Sequence, residues 1–402
     1  MSREIQPVPL GGSGGALRAQ PSLGAMALYF LRLGALGFGG PVALANSMRR
    51  DLVEMRGWLT EPEYDQGLAI AAACPGPLAY QLGVYCGYVR HGIAGGLAVA
   101  AAFALPPFLL VVVAAALYAR FEASWPLRAL FYGVGPVVVA LILRACWNLG
   151  RRTLARDRVA WTFFLIACAV TVVVEKELTA MFIVAGVLGI WLFSGRPPTV
   201  GRVVPVFAAP ILLGTVPTAA GLTGKLFFFF FRTGLLVFGS GLVIVPFLKT
   251  YVVDQYHWLG NRAFLDSVAI GMISPGPVVI SATFVGYLLD GLPGAVAATV
   301  GIFAPAVFFT VIATPILLRH AANPHLKGFI RGITVAVVGV LVGTTYLVGK
   351  TAIGDALTIA LAATSLIALF AWKRLPEPVV VLAGALIGLI AYPLIRPDWV
   401  LR

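Results

Sequence analysis

The stretch FLRLGALGFGGP at residues 30–41 returns two hundred residues later as FFRTGLLVFGSG at 230–241. Phe30, Arg32, Gly34, Leu36, Phe38 and Gly39 meet Phe230, Arg232, Gly234, Leu236, Phe238 and Gly239. The same spacing carries Trp58-Leu59 onto Trp258-Leu259, Ala69-Ile70 onto Ala269-Ile270, and Pro75-Gly76-Pro77 onto Pro275-Gly276-Pro277. One residue is then lost. Gly87-Tyr88, Gly92, Gly95, Pro106 and Gly133 fall on Gly286-Tyr287, Gly291, Gly294, Pro305 and Gly332. A register held over roughly 100 residues is the mark of a duplication.

The repeated unit belongs in a membrane. Of the 402 residues 60% are hydrophobic and only 11% charged, against roughly a quarter charged in a soluble domain. With about 20 apolar residues per crossing as the ruler, spans are predicted near 23–45, 64–89, 93–118, 128–149, 159–174 and 178–194. A Pro-interrupted linking span follows at 201–221. The second set falls near 222–246, 264–289, 294–318, 328–349, 355–372 and 377–395. The expected fold is an all-α polytopic bundle of about 12–13 transmembrane helices, with broken or re-entrant helices. Residues 1–22 read as a flexible tail without a signal-peptide-like apolar run, 23–200 as the first repeat and 222–402 as the second.

Net charge is +13, and the placement of cations orients the chain. With the N-terminus in the cytoplasm, Arg90, Arg151, Arg152, Arg156, Arg158, Arg196 and Arg202 fall inside. If 203–221 spans, Lys249, Arg262, Arg319, Lys327, Arg331, Lys373 and Arg374 join them, the two repeats are inverted, and the C-terminus is periplasmic. Arg49, Arg50 and Arg56 then fall outside, against the rule. The cations form no continuous stripe, so nucleic acid is not an expected partner. Cys74, Cys86, Cys146 and Cys168 sit in apolar runs without metal-ligand spacing. No Walker-type loop, His-Glu-x-x-His or Gly-x-Ser-x-Gly motif is present, so neither an enzyme nor a cofactor is expected.

Inverted repeats with broken helices meeting at mid-membrane are a common transporter plan. Each half supplies two breaks. The first is Phe38-Gly39-Gly40-Pro41, matched by Phe238-Gly239-Ser240-Gly241. The second is Pro75-Gly76-Pro77, matched by Pro275-Gly276-Pro277. A helix that restarts at such a break presents unpaired N–H groups and a partial positive charge, which suits an anion. A kink that only lets helices pack closely is the plainer alternative. Arg32 and Arg232 lie inside apolar runs just before the first breaks. An arginine there is costly unless it faces a polar interior, and its fork suits an oxyanion. Snorkelling to the interface is the alternative, and recurrence at the same repeat position favours the functional reading. Gln81, Ser274, Ser281 and Thr283 are further candidate donors, although such hydroxyls often bond to their own helix. Asp65 and Asp266 begin the runs that lead into the Pro-Gly-Pro breaks. Either could cap its helix or carry a coupling proton.

In these residues the sequence resembles the chromate ion transporter family in its long form of two fused repeats. The resemblance rests on Arg32, Gly34, Phe38-Gly39-Gly40-Pro41, Trp58-Leu59, Glu61, Glu63, Pro75-Gly76-Pro77, Gly87-Tyr88, Gly92 and Pro106. Their mates Arg232, Phe238-Gly239, Trp258, Pro275-Gly276-Pro277, Gly286-Tyr287, Gly291 and Pro305 extend it. It implies efflux of chromate across the inner membrane, giving chromate resistance, with sulfate as a chemical mimic. Two departures stand out. Many members carry a Gln shortly before Pro-Gly-Pro, where this chain has Ala71-Ala72-Ala73 and Gly271-Met272-Ile273, and the second Phe-Gly-Gly-Pro has become Phe238-Gly239-Ser240-Gly241. Expected partners are a small oxyanion, the lipid bilayer and a second copy in a homodimer. Uptake or exchange of sulfate and a non-transporting scaffold are the competing readings.

Overall fold

The computed structural model describes residues 20–38, 40–121, 124–155, 157–174, 179–193, 221–239, 241–312, 314, 323–372 and 375–395. Most of the tail and nearly all of the linking span lie outside the described residues, as do Gly39 and Ser240. The chain is all-α, and its two repeats have matching elements.

The first repeat comprises α1 (Leu23–Leu36), α2 (Gly40–Met48) and α3 (Glu61–Ala73), with a π-helical turn at Arg49–Met55 after α2. The helix Leu78–Phe121 is broken at His91 and Gly92 into α4 (78–90) and α5 (93–121). Then come α6 (Trp125–Thr153), α7 (Arg158–Val174) and α8 (Thr179–Phe193). The second repeat has α9 (Leu222–Leu236), α10 (Ile244–Phe247), a π-helical turn at Leu248–Gln255 and α11 (Asn261–Ile273). Ser281–Val311 is broken at Asp290 and Gly291 into α12 (281–289) and α13 (292–311). α14 (Pro324–Ala352), α15 (Ala356–Ala371) and α16 (Glu377–Ile395) complete it.

The expected spans 23–45 and 64–89 do not run straight through. α3 and α4 are each about 20 Å long at 1.5 Å per residue, short of a 30 Å hydrocarbon core. They fold back on each other around Pro75-Gly76-Pro77. Tyr85 donates its hydroxyl to Gln66 Oε1 at 3.0 Å, and Arg90 pairs with Glu63, so residues nearly equidistant from the break lie side by side. α1 and α2 fold back likewise, Tyr29 donating to Asp51 Oδ2 at 3.2 Å. In the second repeat Phe229 on α9 packs its ring against Tyr251 and Trp258, which lie beyond α10. Each repeat therefore holds two re-entrant hairpins, and the Pro-Gly-Pro tips are largely buried.

All the open ends of the first repeat's hairpins meet at one face. His91 Nε2 lies 2.9 Å from Pro21 O, Arg90 donates to Trp58 O, and Arg56 covers the Tyr29 and Trp58 rings. This corrects the expected side of two loops. Arg49, Arg50 and Arg56 share a face with Arg90, and by repeat symmetry Lys249 and Arg262 share the opposite face with Asp290. That exception to the charge rule disappears, but Lys249 and Arg262, expected inside, become exceptions in its place.

From that face α5 crosses to the other. At Gly92, φ is +60°, a conformation glycine adopts without a Cβ penalty. The reversal lets Gly87 and Gly95 touch through their backbones, and Tyr80 donates to Ala100 O at 3.1 Å. Gly291 repeats the turn at φ +57°, Gly286 and Gly294 touch, and Thr283 bonds Thr299 at 2.7 Å. α5 and α13 pack antiparallel, with Gly96 near the start of α5 against Val311 at the end of α13. At the far end of α5, Tyr118 meets Asp266 of α11 and the Phe284 ring of α12.

The outer helices are exchanged between repeats. α6 packs against α15 and α16, while α14 packs against α7 and α8. Gly133 lies on Gly384 and Gly388, and Gly189 on Gly328 and Gly332, so these backbones approach with no side chain between them. The exterior is apolar, with Leu109, Leu117, Leu165, Leu386 and Ile390 all exposed. Such a surface suits lipid rather than water.

Candidate functional site

The hairpin tips of the two repeats meet crosswise. Gly76-Pro77 and Phe238-Gly239 form a two-residue parallel ladder, in which Gly76 N–H donates to Val237 O at 2.6 Å. Gly276 N–H donates to Gly37 O at 2.9 Å. Because 37 and 237 are repeat mates, these are one hydrogen bond made twice. Pro-Gly-Pro of each half is thus tied to the first break of the other. The two glycine N–H groups expected to face an anion are consumed in this way.

Pro75, Gly76, Pro77, Pro275 and Pro277 are buried, and Gly276 is half-buried. Gly76 has φ +135° and Gly276 φ +86°. A Cβ at Gly76 would lie 2.7 Å from Ala306 Cβ and 2.8 Å from Gln81 Nε2, whereas at Gly276 the nearest described atom would be Pro107 Cγ, at 3.4 Å. Gly40 has φ +78° and open space beside it, and Phe38 is exposed.

Gln81 and Ser281 each lie about one turn beyond a Pro-Gly-Pro tip, and both are fully buried. Gln81 donates Nε2–H to Pro75 O at 2.6 Å, while its Oε1 and the Ser281 hydroxyl have no hydrogen-bond partner among the described residues. A buried unpaired hydroxyl costs about 1–3 kcal/mol, and the Ser281 hydroxyl is free to donate. Ser274 and Thr283 are spent, Ser274 on Gly271 O at 3.1 Å and Thr283 on Thr299.

Arg32 is exposed on the face of α1 that carries Leu28 and Leu36, and makes no hydrogen bond or ion pair to a described residue. Arg232 is half-buried over the Tyr251 ring, 5.5 Å from its centre. The two acids also part company. Asp65 is a surface residue 3.8 Å from Arg49, whereas Asp266 is only 2% exposed and accepts from Tyr118 at 2.7 Å. They are not repeat mates, since the spacing of 200 pairs Asp266 with Gln66. One residue turns a helical side chain by about 100°, from surface to interior.

A cavity of about 390 Å³ opens beside the first repeat's second hairpin. Ala69 and Ala72 of α3 line one wall, and Arg152, Lys327, Ile330 and Arg331 from the adjoining ends of α6 and α14 line the other. Arg331 pairs with Asp157 at 2.8 Å, while Arg152 and Lys327 make no ion pair to a described residue. Ala72 is one helical turn from the Pro-Gly-Pro tip. These cations were not singled out as candidates from the sequence, although Arg152 and Lys327 each stand at the mouth of a predicted span.

The second repeat has closed the matching space. α11 packs on α6 and α16, and Ala269 and Met272 are 1% and 4% exposed where Ala69 and Ala72 are open. Leu36 is 75% exposed and its mate Leu236 1%. Phe182 of α8 stacks on Phe247 of α10 at 5.8 Å, clamping the second repeat's first hairpin as well.

Long apolar helices, paired re-entrant hairpins and a one-sided basic cavity define a membrane transporter rather than an enzyme. A sequence profile described as chromate transporter matches residues 24–190 and again 224–389, and the chain belongs to that family. It is 42% identical over 381 residues to a chromate transport protein of Cupriavidus metallidurans, covering 92% of this chain and 94% of that one. A probable chromate transport protein of Synechococcus elongatus is 40% identical over 92% of this chain and 95% of its own length. A chromate transport protein of Pseudomonas aeruginosa is 33% identical over 90% and 91%. No solved structure matches the chain.

Proposed function

We propose that the protein exports chromate from the cytoplasm across the bacterial inner membrane, by alternating access around the crossed hairpin tips. The observation that carries this reading is the unequal state of two equivalent repeats. Beside the first repeat a basic cavity leads toward the Pro-Gly-Pro tip, and beside the second the same space is packed shut. In an inverted-repeat protein, exchanging the two arrangements would turn a site open to one face into a site open to the other.

Charge supports calling the open face cytoplasmic. Arg49, Arg50, Arg56, Arg90, Arg151, Arg152, Arg158, Lys327 and Arg331 gather there, against Arg120, Arg128, Lys225, Lys249, Arg262 and Lys350 opposite. The linking span must then cross, leaving a cytoplasmic N-terminus and a periplasmic C-terminus. A dianion leaving a negative interior gains about 2.3 kcal/mol per charge per 100 mV, so export needs no second ion. If a proton is carried, Asp266 is the group placed to hold it and Asp65 is not. Arg152 and Lys327 would gather the anion, and it would rest among the tips near Gln81 and Ser281, with Arg32 and Arg232 completing the field.

The names of the relatives support chromate, and sulfate, of the same charge and shape, is the second substrate to test. Everted membrane vesicles carrying the protein should accumulate labelled chromate when energised, with excess sulfate competing. Accumulation only in right-side-out vesicles would reverse the direction. Accumulation of sulfate but not chromate would change the substrate.

A further inference from the structure

We propose that a groove between α6, α7 and α14, apart from the transport path, seats one acyl chain of an anionic phospholipid. The groove encloses about 400 Å³. Its walls are Leu143, Trp147, Phe164 and Val342, with Trp161 near the mouth, and Arg151 is the charged residue that lines it. From Arg151 to Leu143 the wall runs eight residues along α6, about 12 Å. That depth carries a chain from the headgroup layer well into the hydrocarbon.

Three features choose the occupant. α6 and α14 are long and apolar enough to cross a bilayer, and both groove tryptophans are exposed, Trp147 at 55% and Trp161 at 45%. The groove therefore opens toward lipid. Tryptophan favours the level where hydrocarbon meets headgroups. Arg151 and Arg158 are exposed around the mouth. The nearby acid Asp157 is already engaged by Arg331, which leaves the mouth cationic. Basic pockets of this kind on the cytoplasmic side recruit anionic headgroups. Trp161 is pinned by its Nε1–H to Ala155 O at 3.4 Å and by an edge contact with Phe164.

The test uses the full-length protein in nanodiscs and reads tryptophan fluorescence. Brominated phosphatidylglycerol in a phosphatidylcholine background is compared with brominated phosphatidylcholine in a phosphatidylglycerol background, at equal mole fraction. The signal from Trp147 and Trp161 is isolated by subtracting a Trp147→Phe/Trp161→Phe variant. Brominated phosphatidylglycerol should quench this signal at a several-fold lower mole fraction. Replacing Arg151 and Arg158 by Gln should abolish the preference, with quenching itself retained. Equal quenching by the two lipids in the wild-type protein would overturn the proposal without any variant. So would a preference that survives loss of both arginines, or groove tryptophans that neither lipid quenches.

Discussion

Gly76 donates its backbone N–H to the carbonyl of Val237 at 2.6 Å, binding the second break of one repeat to the first break of the other. Gly276 and Gly37 make the same bond at 2.9 Å. Four helix breaks thereby become one joint, and a hairpin that tilts on one side must shift its partner on the other. The joint also has unequal halves, since the space at Gly76 is tighter than at Gly276.

That inequality separates the two glycines. Both sit at positive φ, where another residue costs of order 1–3 kcal/mol. Only at Gly76 does a Cβ also collide with Ala306 and Gln81. Gly76→Ala should therefore reduce chromate flux roughly tenfold more than Gly276→Ala at matched membrane abundance. Leucine should abolish flux at Gly76. Equal effects at the two positions would mean that packing around Ala306 plays no part.

The hairpins fix the side on which two loops emerge. In a chain without its native cysteines, Glu54→Cys should react with an impermeant thiol reagent from the cytoplasmic face, and Gln255→Cys from the periplasmic face. Straight spans through 23–45 and 222–246 would give the reverse labelling.

Arg152 and Lys327 should act at a distance. Each cation contributes about 1 kcal/mol to a nearby anion through water, so Arg152→Gln with Lys327→Gln should raise half-saturation roughly thirtyfold at low salt. The difference should shrink as salt shortens the screening length to about 8 Å or less. A salt-independent defect would point to misfolding or a direct contact. Arg331→Gln should also lower thermal stability, because it strips Asp157 of its partner.

Arg32 tests what covers the exposed face of α1. It lies nine residues beyond Leu23, about 14 Å into the layer, where contact with lipid would be costly. Arg32→Cys should react with a charged impermeant reagent, and chromate should slow the reaction. An unreactive thiol would assign that face to lipid or to a second copy of the chain.

The duplication, the membrane class and the positions of the breaks were legible in the sequence, because glycine and proline recur in a strict register. The direction taken after a break was not. Apolar residues follow the same pattern whether the chain continues past Pro77 or turns back, so 64–89 read as one crossing. The charges held a clue, since Arg49, Arg50 and Arg56 broke the expected rule and the hairpin brings these three back within it. The register also pairs Asp266 with Gln66, and so separates the buried acid from the surface one at Asp65. Gln81 and Ser281 were visible as polar residues near a break, but their unpaired atoms are a product of packing. The basic cavity could not be read at all. It joins Ala72, Arg152 and Lys327 from three distant parts of the chain, and its openness depends on how those parts pack.

Counterflow tests the exchange between two arrangements most directly. Purified protein is reconstituted into vesicles loaded with unlabelled chromate, diluted into a trace of labelled chromate, and followed over time. A carrier whose site faces one side at a time should draw label inward transiently above its equilibrium level, and sulfate should suppress the overshoot. Label that only rises to equilibrium, or does not enter at all, would contradict alternating access of chromate around the Gly76–Val237 joint.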